Sequence, residues 1–339
     1  MLDAQSQLPL AAIPVIDCEG NFPMTTLAAE EPRAHALLDQ ATRFVPRTAL
    51  RSLDAVSRRW LERWSNEHLP EIDAIARRLD RPGAYFLSVN YEWGCTVGVR
   101  GCPDRRTARL IRVLDWGTRG LGRNIVAARV KAPAGMFVTL TWPGYTGVLQ
   151  AMAPGRFSAA LNQAPMRKAV GLYPLDWAAN KARVWKQPHP TPAHLLRTVF
   201  EQSTTFEQAK ERLSHAPIAA PCIYSLAGLD PSDTCVIERS ETGAHVHQGE
   251  TTAANHWQAP GWTGRSRGVD SAGRARCMQG IPASLDGSFA WLTWPILNDH
   301  TRLVMVADAA QGRLIAQGYE ADGPATAILE LDNAVALSA

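Results

Sequence analysis

Cys95 stands between a bare glycine and a short β-branched run, in the stretch NYEWGCTVGVR. A thiol is the best nucleophile among ordinary side chains, but it needs a base to take its proton and donors to hold an oxyanion. None of the nine histidines stands in an evident catalytic context: His245 and His247 alternate along one strand, and His256 follows Asn255. A different base becomes available if the bond between Gly94 and Cys95 is cut, because a freed α-amine titrates near pH ~8 and could take the thiol proton. Gly94 has no Cβ and would give the backbone freedom for the thiol to attack its carbonyl in an N-to-S acyl shift. The competing reading is a buried strand cysteine that packs as a small hydrophobe.

Other residue types here also carry two readings. Arg112 and Asp115, in RVLDW, would alone make a surface salt bridge. Asn162 in AALNQAP and Asn255 in AANHW would each suit a turn or a strand end. His245 and His247 could start a metal site but have no third ligand in view. Cys102 reads as a hairpin-turn thiol, and Trp93, Trp116 and Trp142, among eleven tryptophans, as core packing or as the wall of an acyl pocket.

Periodicity supplies the elements that must position these groups. The first 45 or so residues hold several prolines and no long period, which predicts an irregular arm with one short helix around Glu31 to Thr42. From Thr48, Leu50, Leu53, Val56, Trp60 and Trp64 recur at helical spacing up to Pro70, and Ile72, Ile75 and Leu79 mark a second helix before Pro82-Gly83. After Gly83, AYFLSVNYE, CTVGV, RLIRVLDW, NIVAARVKA and GMFVTLTW predict strands. TPAHLLRTVFEQSTTFEQAKERLSHAP predicts two helices, with a cap at Thr191 or Thr205. PCIYSLAG, DTCVIER and GAHVHQG predict strands, SAGRARCMQG a helix, and FAWLTWPIL, TRLVMVAD and GRLIAQGYE a last group of strands. Strands, then helices, then strands again suit an α+β fold of antiparallel sheets with helices outside.

Composition bounds the rest. A net charge of +3 without a basic block interleaved with aromatics argues against a nucleic-acid partner. Six dispersed cysteines without a C-x-x-C pair predict reduced thiols and no zinc site. No apolar run approaches the ~20 residues of a transmembrane segment, and the N-terminus lacks a basic n-region, so a cytoplasmic location is expected.

GCTVGV followed by RVLDW resembles the opening of the choloylglycine hydrolase and acid ceramidase group of N-terminal nucleophile amidases. TWPGYTGVLQAMAPGRFSAALNQAP is similar to the acid ceramidase and N-acylethanolamine acid amidase hairpin that ends in an asparagine. DTCVIERS, TTAANHW and SAGR resemble the later strands and the arginine-bearing helix, and the Asn-His pair is similar to the acyl-coenzyme A:isopenicillin N acyltransferase branch. The likeness, from about residue 81 to 320, implies a four-layer αββα sandwich. It also implies a helical pro-segment, 1–94, and a catalytic chain, 95–339, that stay associated as a heterodimer after cleavage.

In that resemblance Cys95 is the nucleophile and, through its freed amine, the base. Asp115 would bind the α-ammonium or thiol, and Arg112 would orient Asp115 and hold the thiolate. Asn255 would donate to the oxyanion, Asn162 would assist, and Arg274 would be the late active-site arginine among Arg265, Arg267 and Arg276. The implied reaction is hydrolysis of a small N-acyl amide through a thioester, with no cofactor. An acyltransferase of the same fold, or an uncleaved αββα protein that binds a lipid or partner, are the alternatives. Relatives carry Asn-Tyr-Asp and Asp-Asp-Arg-Arg where this chain has NHWQAP and SRGVDSAGR, so the substrate side of the pocket differs.

Overall fold

Two antiparallel-rich sheets lie face to face in a computed structural model that describes residues 9–89, 93–283 and 287–332. Fifteen strands are described: β1 (Val15–Glu19), β2 (Trp93–Cys102), β3 (Thr107–Trp116), β4 (Val126–Lys131), β5 (Phe137–Thr141), β6 (Gln150–Ala153), β7 (Phe157–Gln163), β8 (Cys222–Ala227), β9 (Thr234–Arg239), β10 (Ala244–Gln248), β11 (Thr251–Ala253), β12 (Thr301–Asp308), β13 (Arg313–Glu320), β14 (Gly323–Pro324) and β15 (Leu329–Asp332). The first sheet runs β1-β4-β5-β6-β7-β8-β9-β10, and the second β11-β2-β3-β12-β13-β14, with β15 also on β13.

The helices are α1 (Phe22–Ala29), α2 (Glu31–Thr42), α3 (Arg47–Arg63), α4 (Leu69–Leu79), α5 (Ala84–Val89), α6 (Tyr173–Val184), α7 (Pro192–Gln202), α8 (Phe206–His215) and α9 (Ser271–Gln279). Helices α7 and α8 pack outside the first sheet and α9 outside the second, which completes the αββα layering. Thr191 and Thr205 both cap, each accepting from the backbone N–H three residues on, at 3.2 Å in both cases.

The period of two along β2 and β3 sorts their side chains. Cys95, Val97, Val99, Leu110 and Leu114 join the core between the sheets. Ile111 and Val113 instead pack with Met278 of α9 and Val304 of β12 in a second core. Arg112 therefore shares the inter-sheet face with Cys95, whereas Asp115 shares the face turned to α9.

The first 45 residues differ from the irregular arm expected of them. Residues 15–19 form β1, parallel to residues 127–131 of β4, and α1 packs on both strands. AYFLSVNYE is not a strand: Ala84–Val89 is α5, packed on α3 and α4, and Asn90, Tyr91 and Glu92 lie outside the described residues. A short aromatic run fits either state, and here the helical neighbours decide. FAWLTWPIL is likewise a series of turns, in which Phe289, Leu292 and Ile296 fill the second core and Pro295 has no N–H for a ladder. Helix α6 escaped the periodicity because Asp176 is its one buried residue.

Candidate active site

Both backbone groups of Cys95 are held. Its N–H donates to Asn255 Oδ1 at 2.7 Å, and its carbonyl oxygen accepts from Arg274 Nη1 at 2.7 Å. The thiol is fully buried, with Sγ 3.9 Å from the Leu161 carbonyl oxygen across the sheet interface. Burial pushes its pKa up to about 12; Arg112 opposes this, Asp115 adds to it and Arg274 opposes it. The thiol is thus neutral at ordinary pH in the uncut chain.

Arg112 is completely buried, and burial holds its guanidinium below the usual arginine range. Its Nη1 donates to Asn162 Oδ1, while Nε and Nη2 donate to no nitrogen or oxygen among the described residues. Asn162, on the facing strand β7, donates through Nδ2 to the carbonyls of Ala253 and Ala254 at 3.2 and 3.1 Å. A sheet-to-sheet contact therefore fixes a cation beside the thiol, where it would favour the thiolate.

Asp115 accepts from Thr301 Oγ1 at 3.0 Å and Asn298 Nδ2 at 3.2 Å, and its Oδ2 meets Arg274 Nη1 at 3.2 Å. Among the described residues its ion pair is with Arg274 rather than Arg112, as expected for neighbours on opposite faces of β3. Arg274 also donates to Thr96 Oγ1 at 2.8 Å, Asn255 Oδ1 at 3.0 Å, and the carbonyls of Val269 and Arg267 at 2.6 and 3.2 Å. Strands β2 and β3 and the loop between β11 and α9 converge on one guanidinium. Arg276, one turn-face away, is exposed.

Local backbone geometry makes room for it. Asp270 caps α9 by accepting from Gly273 N at 2.9 Å, and Gly268 has φ +69, with its ideal Cβ position only 2.7 Å from Arg274 Nη2. Glycine alone suits that place. Gly94, by contrast, lies in β2 opposite Asp115 without a positive φ, and a Cβ there would meet Asp115 Cβ and Gly268 Cα at 3.4 Å.

Asn255 joins β11 to α9. Its backbone N–H donates to Ser271 Oγ at 2.8 Å, and Nδ2 donates to the Gln163 carbonyl at 2.7 Å. A carboxamide nitrogen carries two hydrogens, so one remains for a further acceptor among the described contacts. His256 Nδ1 meets the same Ser271 hydroxyl at 2.8 Å, and burial lowers its pKa. His245 and His247 pack edge to face, and His247 Nε2 lies 3.3 Å from Glu238. Sequence reasoning missed Thr96, Gly268, Ser271, Asn298 and Thr301, which carry no motif of their own. Only the turn-rich setting of Gly268 and Asn298 hinted at backbone that folds back on the site.

Two cavities meet at Gly117 beside this cluster. One, of about 310 Å³, is lined by Trp93, Gly94, Asp115, Arg265, Arg267 and His300 among others. The other, of about 550 Å³, is walled by Leu37, Leu38, Ile75, Leu79, Trp116 and Trp142 among others, between the N-terminal helices and the sheets. Trp93, Trp116, Trp142 and Tyr145 form a continuous ladder of rings at 5.1, 5.6 and 6.3 Å between centroids. Among the described residues no helix is long and apolar enough to cross a membrane.

No family model matches the chain. Acid ceramidase of Homo sapiens is 35% identical over 105 residues, 31% of this chain and 25% of that protein. Acid ceramidase of Bos taurus is 30% identical over 105 residues with the same shares. The chain thus matches about a quarter of the length of these curated relatives. Among solved structures, the Caenorhabditis elegans N-acylethanolamine-hydrolyzing acid amidase ortholog superposes with TM-score 0.51 at 19% identity, over 70% of this chain and 99% of that one. The chain is thus similar to acid ceramidases over one segment and shares the αββα fold of the N-acylethanolamine-hydrolyzing acid amidase ortholog.

Proposed function

We propose that this chain is an amidase whose nucleophile, Cys95, is released by self-cleavage of the Gly94-Cys95 bond. The observation that carries the reading is the way Cys95 is gripped: Asn255 holds its N–H, Arg274 its carbonyl, and Arg112 stands by the thiol. In the first step the thiol adds to the Gly94 carbonyl and the peptide nitrogen takes a proton, giving a thioester at Cys95 and a free amine. Water then hydrolyses the thioester, leaving a Gly94 carboxylate and the thiol.

The mature site repeats the chemistry on a substrate. The Cys95 amine accepts the thiol proton, the thiolate attacks an amide carbonyl, and the remaining N–H of Asn255 Nδ2 donates to the tetrahedral oxyanion. The ammonium returns its proton to the leaving amine, and water releases the acyl group as a carboxylic acid. Asp115, anchored by Arg274, Asn298 and Thr301, is the anion beside Gly94 that would hold the new ammonium. Asn162 fixes Arg112.

An apolar acyl group suits the 550 Å³ cavity, since each buried methylene contributes roughly 0.8 kcal/mol. Residues 1–94 and 95–339 would stay together after cleavage. Strand β1 is part of the first sheet, Trp60 Nε1 donates to the Gln187 carbonyl at 2.9 Å, and Glu71 binds Arg197 through both oxygens at 2.6 and 3.1 Å.

The test is the intact mass of the purified protein, followed by assay on N-acyl amides. Two fragments, the larger beginning at Cys95, with both cleavage and fatty-acid release abolished by Cys95→Ala, are expected. A chain that stays whole at every pH, or one that hydrolyses amides equally well as Cys95→Ala, would overturn the reading and leave a binding role.

A further inference from the structure

We propose that His256 and Ser271 are positioning residues for the oxyanion amide: the neutral His256 imidazole orients the Ser271 hydroxyl, and that hydroxyl holds Asn255 in place beside Cys95. This rests on the amidase reading above.

Asn255 needs such an anchor. Strand β11 pairs with β2 only as far as Ala253, opposite Val97, so Asn255 stands two residues beyond the last rung. Its backbone N–H donates instead to Ser271 Oγ at 2.8 Å. Its carboxamide does the work proposed above: Oδ1 accepts from the Cys95 N–H at 2.7 Å and from Arg274 Nη2 at 3.0 Å, and Nδ2 donates to the Gln163 carbonyl at 2.7 Å. Any movement of this backbone is carried directly to the amide that would face the reacting carbonyl.

Ser271 is available for this task although it begins a helix. The cap of α9 is Asp270, which accepts from Gly273 N at 2.9 Å, so the buried Ser271 hydroxyl serves Asn255 and His256 rather than the helix end. A hydroxyl has one proton and two lone pairs. One lone pair takes the Asn255 N–H, and the proton goes to His256 Nδ1 at 2.8 Å when the imidazole is neutral with its hydrogen on Nε2. Donating makes the oxygen a better acceptor, so the two bonds reinforce each other. Protonation of Nδ1 reverses the second bond: Ser271 then accepts twice, and its own proton has no acceptor among the described contacts.

The surroundings favour the neutral ring. Burial lowers the pKa of His256; Glu238 of β9 opposes this, and Arg274 and Arg276 of α9 add to it. Glu238 is already engaged by the N–H groups of Gln258 and Ala259 at 2.7 and 2.6 Å, and His247 Nε2 of β10 stands 3.3 Å from it.

The experiment is the kinetics of the self-cleaved protein on N-lauroylethanolamine, read as dodecanoic acid released per cleaved chain. His256→Phe and Ser271→Ala should each lower kcat about tenfold with KM unchanged, because an oxyanion donor acts in the transition state. The double variant should be no slower than the slower single one, since both remove the same link. His256→Gln, whose Oε1 can accept the Ser271 proton but cannot titrate, should come back to within about threefold of the wild type. The ratio of wild-type to His256→Gln kcat should fall as pH drops below about 6.5, where only the wild type gains a proton at this position. The Cys95 amine and the rest of the fold titrate in both proteins and cancel in that ratio. Additive losses, losses carried by KM, or a ratio that does not change with pH overturn the inference while the amidase reading stands. If His256→Phe does not fold, Ser271→Ala and the pH ratio decide by themselves. Release from no N-acyl amide by the wild-type protein overturns both.

Discussion

Arg274 and Asp115 form a buried ion pair, Nη1 to Oδ2 at 3.2 Å, directly behind the Gly94-Cys95 peptide. The same nitrogen holds the Cys95 carbonyl. Breaking a buried pair by removing one partner costs roughly 3–5 kcal/mol, because a desolvated charge is left behind. Arg274→Met should therefore lower stability by about that amount in a Cys95→Ala background, where every molecule is uncut, with urea denaturation as the measurement. Adding Asp115→Asn should restore part of the loss. A loss below about 1 kcal/mol would show that the pair is not the clamp described.

Gly268 makes a second, sharper demand. An alanine there adds a Cβ 2.7 Å from Arg274 Nη2 at a backbone φ of +69. Left-handed strain costs about 1–3 kcal/mol, before any displacement of the guanidinium. Gly268→Ala should lose at least that much stability and cleave slowly, whereas Gly94→Ala, with ordinary 3.4 Å contacts, should be the milder of the two in denaturation. The reverse order would mean that Gly94 carries the conformational constraint.

These two residues also show what a sequence can and cannot convey. Cys95, Arg112 and Asp115 lie on one hairpin, and an α+β order of strands and helices was legible from period, whereas the αββα layering and the site roles of Arg112 and Asp115 came from resemblance. Asn162, Asn255 and Arg274 came from resemblance, and the structure gathers them around Cys95 because β7, β11 and α9 converge there. The partners of Asp115 were not legible. Alternation along β3 puts Arg112 and Asp115 on opposite faces, so the arginine nearest in sequence is the wrong one, and Asn298 and Thr301 arrive from the turn before β12 and from its first residue. Strand β1 was hidden for a related reason: an edge of mixed burial, after a proline-rich start, has no clean period.

A buried histidine pair at the seam of the two segments predicts sensitivity to acid. His68, before α4, and His194, in α7, have rings 4.4 Å apart. Burial, with Arg197 nearby, lowers His68 to about 3; burial, with His68 and Arg197, puts His194 well below its ordinary value. Both are therefore neutral when folded but take protons near pH ~6.5 when unfolded. Their contribution is fully present above that pH and is lost as pH falls from there towards 3, at up to ~1.4 kcal/mol per pH unit for each histidine. Glu67 stands 3.7 Å from His68 Nε2, and Glu71, raised by burial despite its pairing with Arg197, acts in the opposite sense as pH falls towards its ordinary range. The urea midpoint should drop between pH 7.5 and 5.5, and His68→Phe, which keeps a ring in place, should flatten that slope. An unchanged slope in that variant would remove His68 from the account.

The wall of the apolar cavity makes the last prediction. Leu38 and Leu79, from the N-terminal helices, face Trp116 and Trp142 across about 550 Å³. If the acyl chain lies there, a bulkier residue on the helical side must displace its distal methylenes, each contributing roughly 0.8 kcal/mol, and longer chains must suffer more than short ones. Leu38→Trp should lower the ratio of kcat/KM for dodecanoyl over hexanoyl amides of the same amine by tenfold or more. Because both substrates meet the same enzyme sample, incomplete folding or cleavage cancels in the ratio. A ratio that does not move would take the acyl chain out of this cavity.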